Sequence, residues 1–363
     1  MVINSHPTFR ISSALKNLIG KELITDEFIA IFELVKNCFD ANAKKATIIF
    51  ENIYKTDSRI IIVDDGKGMD DEDLVNKWLF VAYSAKKEGT EDYRDKIKSK
   101  RVFAGAKGVG RFSCDRLGSK LNLITIKKVS NPTIENLEVD WEKFEQDANT
   151  EFIEIETNHR TLNKTSYKIH HGTILEISEL RDNWNRERIL KLKHSLEKLI
   201  KPDKDNQAKD FQIEIICEEE IANDKKEKEQ RSKVNGVIQN LIFQKLEQKT
   251  TKIESEISED GKIITTKLTD RGSWIYTIKE HNRYSIEKNK SKDFLNNISI
   301  KLFQLNRSAK KNFTMDMGIE PVKYGSVFMY KNDFRIYPFG EEGDDSLHID
   351  RRKAQGYSRF LGD

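Results

Sequence analysis

Apolar residues recur at helical spacing through 28–43, with Phe28, Ile31, Phe32, Val35 and Phe39 falling on one side. Thr25 and Asp26 stand just ahead of them as N-cap candidates. Two β-rich runs follow, 46–50 and 60–63, and the second leads straight into DDGKGM, a glycine turn. The spacing predicts a short helix over 70–78. The polar, lysine-rich stretch 82–101 has no period and reads as a mobile loop. GAKGVGRFSCDRLG then reads as a glycine loop feeding another helix. Strand-like runs begin at 121, 135, 151 and 173, and a domain boundary is expected near 179–184. Beyond it, ERILKLKHSLEKLI predicts an amphipathic helix ending at Pro202. The charged stretches 201–210 and 218–233 read as solvated faces or loops. A helix from 237, strands over 261–268 and 273–280, a helix over 293–305 and a hairpin turning at Lys331, Asn332 and Asp333 complete the pattern. The expected organisation is a mixed α/β domain over 1–180, then a second α/β domain over 181–363 with a charged segment around 201–235.

Length agrees with that division, since 363 residues correspond to about two domains. Hydrophobic residues make up 37% and charged residues 34%, a polar balance, yet 19 Phe exclude a wholly disordered chain. The 63 basic and 60 acidic side chains leave a net charge of +3, which gives no bulk case for nucleic-acid binding. A lysine-rich stretch over 288–311 leaves room for a local basic face. No apolar run reaches the ~18 residues of a membrane span, and the start of the chain lacks a signal-peptide pattern. Cys38, Cys114 and Cys217 form neither a disulfide framework nor a zinc pattern, which points to a reduced, cytoplasmic protein.

Three segments carry chemistry. In ELVKNCFD, steps of four and three put Glu33, Asn37 and Asp40 on nearly one helix face. Asn37 offers an oxygen to a hard cation such as Mg²⁺, and Glu33 is placed to activate a water; an exposed face of a surface helix would carry the same pattern. In IIIVDDGKGMD, a strand delivers Asp64 at its end, and Gly66 and Gly68 allow close approach of a planar ligand with an exocyclic amine. A plain Asp-Gly turn is the other reading. In GAKGVGRF, Gly105, Gly108 and Gly110 ahead of a helix present backbone N–H groups to an anion, with Lys107 and Arg111 adding charge. A flexible connector would look the same, and the spacing is not that of a P-loop.

In this order the segments resemble the GHKL superfamily: gyrase-type topoisomerases, heat-shock chaperones, sensor histidine kinases and mismatch-repair ATPases. Glu33, Asn37 and Asp40 match its E-x-x-x-N-x-x-D box; Asp64, Gly66, Gly68 and Met69 match D-x-G-x-G-M. The glycine box spans Gly105 to Phe112, including Val109, and Thr173 stands in the late G-T strand. Ser84 and Lys86 resemble the element at the start of the ATP lid, although Ala82 and Tyr83 replace the usual Gly-Thr before it. The resemblance covers about 9–180. It implies a Bergerat-type α/β sandwich binding ATP and Mg²⁺, with Asp64 on the adenine amine, Asn37 on the metal and Glu33 polarising the attacking water. It implies that the second domain is a transducer, ribosomal S5 domain 2-like, returning a residue to the γ-phosphate, for which Lys353 and Gln355 are the candidates. The branch most resembled is that of bacterial MORC-like and chaperone-like ATPases, some of which serve phage defence. The expected activity is an ATP-hydrolysing switch that closes a homodimer around a protein client or DNA, without a membrane. The alternatives are a binding scaffold with little turnover and a histidine-type kinase. For the kinase the downstream candidate is His194, which lacks the usual flanking residues and reads better as a surface histidine. The chain ends at Asp363 without a closing element and reads as a piece of a longer protein.

Overall fold

The computed structural model describes residues 24, 26–79, 110–144, 157–200, 211–240, 242–283, 298–317, 327–331 and 334–335. It divides into two compact units, Met1–Leu199 with Asn206–Ile238 and Ile200–Asp205 with Gln239–Asp363. The expected lid at 82–101 and the strand expected at 151 lie outside the described residues.

The first unit is a mixed α/β sandwich. Helix α1, Glu27–Asp40, starts where the Asp26 carboxylate accepts the N–H groups of Phe28 and Ile29 at 2.6 and 3.2 Å. Its buried side carries Ala30, Ile31, Leu34, Val35, Cys38 and Phe39. Strands β1 (Lys45–Glu51) and β2 (Arg59–Asp64) form an antiparallel pair. Helical turn α2 (Asp71–Asp73) runs into a π-helical turn, Leu74–Trp78, in place of the single helix expected there. A 3₁₀ turn, Gly110–Phe112, leads into α3 (Ser113–Leu117). Strands β3 (Gly118–Ile126), β4 (Ile134–Asp140), β5 (Asn158–Leu162) and β6 (Gly172–Leu180) follow, then α4 (Arg186–Glu197) and β7 (Gln212–Cys217). Helical turn α5 (Ile221–Asp224) and strand β8 (Gly236–Val237) close the unit. The eight strands lie in the order β5-β4-β3-β6-β2-β1-β7-β8, with β1 and β7 parallel and the other neighbours antiparallel.

Register sorts the side chains. Cross-strand partners share a face, so Phe50, Ile60 and Ile177 line one side together with Ile48 and Ile62. Helix α1 packs on this side. The other side holds a cluster of Ile61, Ile124 and Ile174, covered by Tyr167 and Ile169. Phe50 meets Trp184 with ring centroids 4.9 Å apart, fixing the approach to α4.

The domain boundary expected at 180 falls inside this unit. Strand β7 pairs with β1 from Lys45↔Gln212 to Phe50↔Cys217, which carries the sheet past α4. The stretch 218–233, expected to be solvated, is tied down: Arg186 reaches Glu220 at 2.7 Å, Asp224 at 2.8 Å and the Ser232 carbonyl at 2.6 Å. Its two buried carboxylates, Glu220 and Asp224, are tied down in this way, through Arg186 of α4; residues 225–230 are exposed as expected. Glu27, at the start of α1, accepts from Arg116 at 3.1 Å and from Arg188, joining α1 to α3 and α4.

The second unit contains α6 (Ile242–Lys249), a sheet in the order β11-β10-β9-β12, and α7 (Arg307–Met317). The strands are β9 (Thr251–Ile257), β10 (Ile263–Asp270), β11 (Ser273–His281) and β12 (Ser299–Gln304). Strand β12 corrects the helix expected over 293–305: Ile300 and Leu302 alternate with polar residues and pair against Ser255 and Ile253. The expected hairpin is present as β13 (Tyr330–Lys331) against β14 (Phe334–Arg335).

Phe50 is fully buried. Phe50→Ala is expected to cost about 3–5 kcal/mol, because the cavity opens between sheet and Trp184; chemical denaturation monitored by tryptophan fluorescence measures it.

Candidate active site

The carboxyl-terminal end of β2 is where the apolar face turns polar. Asp64 pairs with Ala46 on one side and Thr173 on the other, and Thr173 pairs with Thr125. A row of Thr125, Thr173 and Asp64 therefore crosses three strands on one face. Thr125 Oγ1 accepts the Met69 N–H at 2.9 Å and donates to the Gly172 carbonyl at 3.1 Å. It also lies 3.3 Å from Thr173 Oγ1.

Asp64 is buried, with Oδ1 accepting the Gly66 N–H at 2.7 Å. Burial is the chief reason its pKa rises to about 7; the Gly66 hydrogen bond opposes the shift and the neighbouring Asp65 charge adds to it. The Cys38 thiol of α1 lies beside this carboxylate, and burial first, then the Asp64 charge, push it well above its ordinary value.

The turn after Asp64 needs its glycines. A Cβ on Gly66 would come within 2.7 Å of Asp64 Oδ1 and 2.8 Å of the Ala41 methyl. Gly68 has φ +61, and a Cβ there would sit 1.9 Å from the Ile126 carbonyl oxygen. Lys67 N–H donates to the Ala41 carbonyl at 2.9 Å, and Lys128 N–H to the Lys67 carbonyl at 2.8 Å. The turn is thus clamped between the end of α1 and the end of β3.

Helix α1 supplies the second half of the site. Glu33, Asn37 and Asp40 share a stripe as expected, but at different depths: Asn37 is exposed, Glu33 half-buried and Asp40 buried. Gly110 lies against Asn37, since a Cβ on it would come within 3.2 Å of Nδ2. The last glycine of the loop segment is thereby brought beside the metal-ligand candidate. Phe112 is a core residue, its ring centroid 5.7 Å from that of Trp141. Arg111 occupies the same 3₁₀ turn; its side chain, and Ser84, Lys86, Gly105, Lys107, Gly108, Val109, Lys353 and Gln355, lie outside the described residues.

One residue went unmarked in the sequence reading. Lys36 donates from Nζ to Glu33 Oε1 at 2.7 Å. Its i,i+3 spacing from Glu33 was the available signal.

His194 is not a surface histidine. It is half-buried, its Nε2 lies 3.2 Å from the Arg231 carbonyl oxygen, and burial lowers its pKa to about 4, with the Arg231 charge adding to the effect. It is a neutral packing residue of α4.

Residues 25–173 match the family described as histidine kinase-, DNA gyrase B-, and HSP90-like ATPase. No curated protein matches the chain. Among the described residues, no helix is long and apolar enough to cross a membrane.

The raised pKa of Asp64 has a measurable consequence. Unfolded, the carboxyl loses its proton near 3.8; folded, it holds it to about pH 7. Between these values the ligand-free protein loses about 1.4 kcal/mol of stability per pH unit from this group as pH rises. Asp64→Asn lacks that loss, so its stability relative to the parent should climb through this window and level off above about pH 7. Urea titrations of both proteins from pH 5 to 8 test the slope; parallel curves would show Asp64 to be ordinary.

Proposed function

We propose that this protein, whose residues 25–173 match the family described as histidine kinase-, DNA gyrase B-, and HSP90-like ATPase, binds ATP with Mg²⁺ over the polar end of its sheet and hydrolyses the terminal phosphate. The observation that carries the reading is the juxtaposition of a buried, weakly compensated carboxylate, Asp64, with a glycine cradle that a Cβ would fill. A buried carboxylate facing such a cradle suits an aromatic base with an exocyclic amine, because the amine supplies the hydrogen bond that burial withholds.

In this reading Asp64, ionised, accepts from the adenine amine, and Thr173 and the Met69 backbone border the same row. Asn37 offers a single neutral oxygen, a donor that fits a hard cation whose remaining positions are filled by phosphate oxygens and water. When bound, Mg²⁺ would neutralise charge on the phosphates. Glu33 accepts a proton from the attacking water as its oxygen bonds the γ-phosphorus and the bond to the β-phosphate oxygen breaks. Family members often dimerise, which supports an ATP-gated clamp closing on a protein client or DNA. Sedimentation with and without a non-hydrolysable analogue tests that part separately.

Glu33→Ala should bind a fluorescent ATP analogue like the parent and release phosphate slower by a factor on the order of 10²–10⁴. Undiminished turnover would remove Glu33 from the chemistry. Asp64→Asn should weaken analogue binding, since the amide can present a donor to the adenine amine; unchanged affinity would displace adenine from this position. Parent affinity for ATP should also fall as pH drops from 8 to 6, because the accepting carboxylate takes up its proton near 7.

A further inference from the structure

On α1, Lys36 lies within the polar stripe that holds the candidate base. At about 100° per residue, positions 33, 36, 37 and 40 span about 100° of arc. Glu33 and Lys36 are more enclosed than an ordinary surface pair, with side chains 30% and 12% exposed. The ammonium engages Oε1 alone among the Glu33 oxygens. A Glu side chain has three rotatable bonds, and fixing its carboxylate costs conformational entropy unless a partner holds it. A base that must meet one water in one direction depends on that fixing.

We propose that Lys36 is a positioning residue for Glu33: it anchors Oε1 and leaves Oε2 directed to the attacking water. The proposal rests on the reading of Glu33 as general base. It assigns Lys36 no contact with ATP and no proton of its own. An i,i+3 pair taken only as helix support contributes little to stability, so a large change in turnover on its removal reports on position.

The test uses the full chain and measures steady-state ATP hydrolysis, affinity for a non-hydrolysable ATP analogue and thermal midpoint. Lys36→Met and Lys36→Gln should each lower kcat by about 10- to 100-fold, with analogue affinity within about twofold of the parent and little change in midpoint. Lys36→Arg, which keeps a cation at similar reach, should recover most of the rate. Combined with Glu33→Ala, Lys36→Met should produce no further loss, because nothing remains to position. Parental kcat in both neutral variants, weakened analogue binding, or an equal loss in the Glu33→Ala background would each overturn the role. Should Glu33→Ala alone turn over at the parental rate, the general-base reading itself falls, an outcome distinct from failure of Lys36 alone.

Discussion

Asp64 is a carboxyl group in the interior of the first unit that accepts the Gly66 N–H at 2.7 Å, with the Thr173 backbone and the Cys38 thiol also acting on it. Burying such a group opposes its charge, and these partners together do not offset the loss of water. The surrounding structure maintains this position: α1 presses Cys38 against it, β6 places Thr173 alongside, and the Gly66–Gly68 turn folds over it. In the function proposed above, a ligand that brings a donor would supply the interaction that folding left incomplete.

The helix that seals this carboxylate also carries the polar stripe. Its apolar side is fixed by the sheet, so the stripe of Glu33, Lys36, Asn37 and Asp40 cannot rotate away from the Gly110 turn. Ion pairs at its beginning reinforce that phase. Glu27 is buried and shared by Arg116 and Arg188, and Asp182 meets the same two arginines. Burial opposes the Asp182 charge, but the two guanidiniums prevail and hold its pKa below the ordinary carboxylate value. Each carboxylate is held by both arginines, so the four side chains together tie the start of α1 to α3 and α4.

The first unit is extended by charged elements of α4 and the segment after β7. Lys193 is buried on α4, its pKa lowered by burial, and donates to the Lys233 carbonyl at 2.6 Å. Asp224 accepts from Val234 and Asn235 N–H groups, both at 2.8 Å, which brings the chain back to form β8. These polar contacts are internal scaffolding for the sheet edge beyond β1. The second unit builds its own sheet from the hairpins β9-β10 and β10-β11, with β12 added on the far side of β9 and Ile253, Tyr276 and Leu302 exposed on one side.

The sequence by itself determined what depends on local period and backbone geometry. The phase of α1 follows from apolar spacing, its start from Asp26, and the place of the Asp64 turn from glycines that a Cβ could not replace. The order of the boxes was enough to anticipate the α/β sandwich of the first unit. Elements that owe their existence to distant partners were not legible. Strand β5 is polar because it is an exposed edge, and β7 belongs to the first unit through parallel pairing with β1 across α4. Strand β12 offered apolar residues that suit either period, and pairing with β9 chose between them. Depth was equally hidden: Glu33, Asn37 and Asp40 are one stripe in sequence but three levels of burial in space. The pKa of Asp64 and the hold of Lys36 on Glu33 depend on what packs around them, and solvent exclusion is a property of the assembled layers, not of any residue's neighbours in the chain.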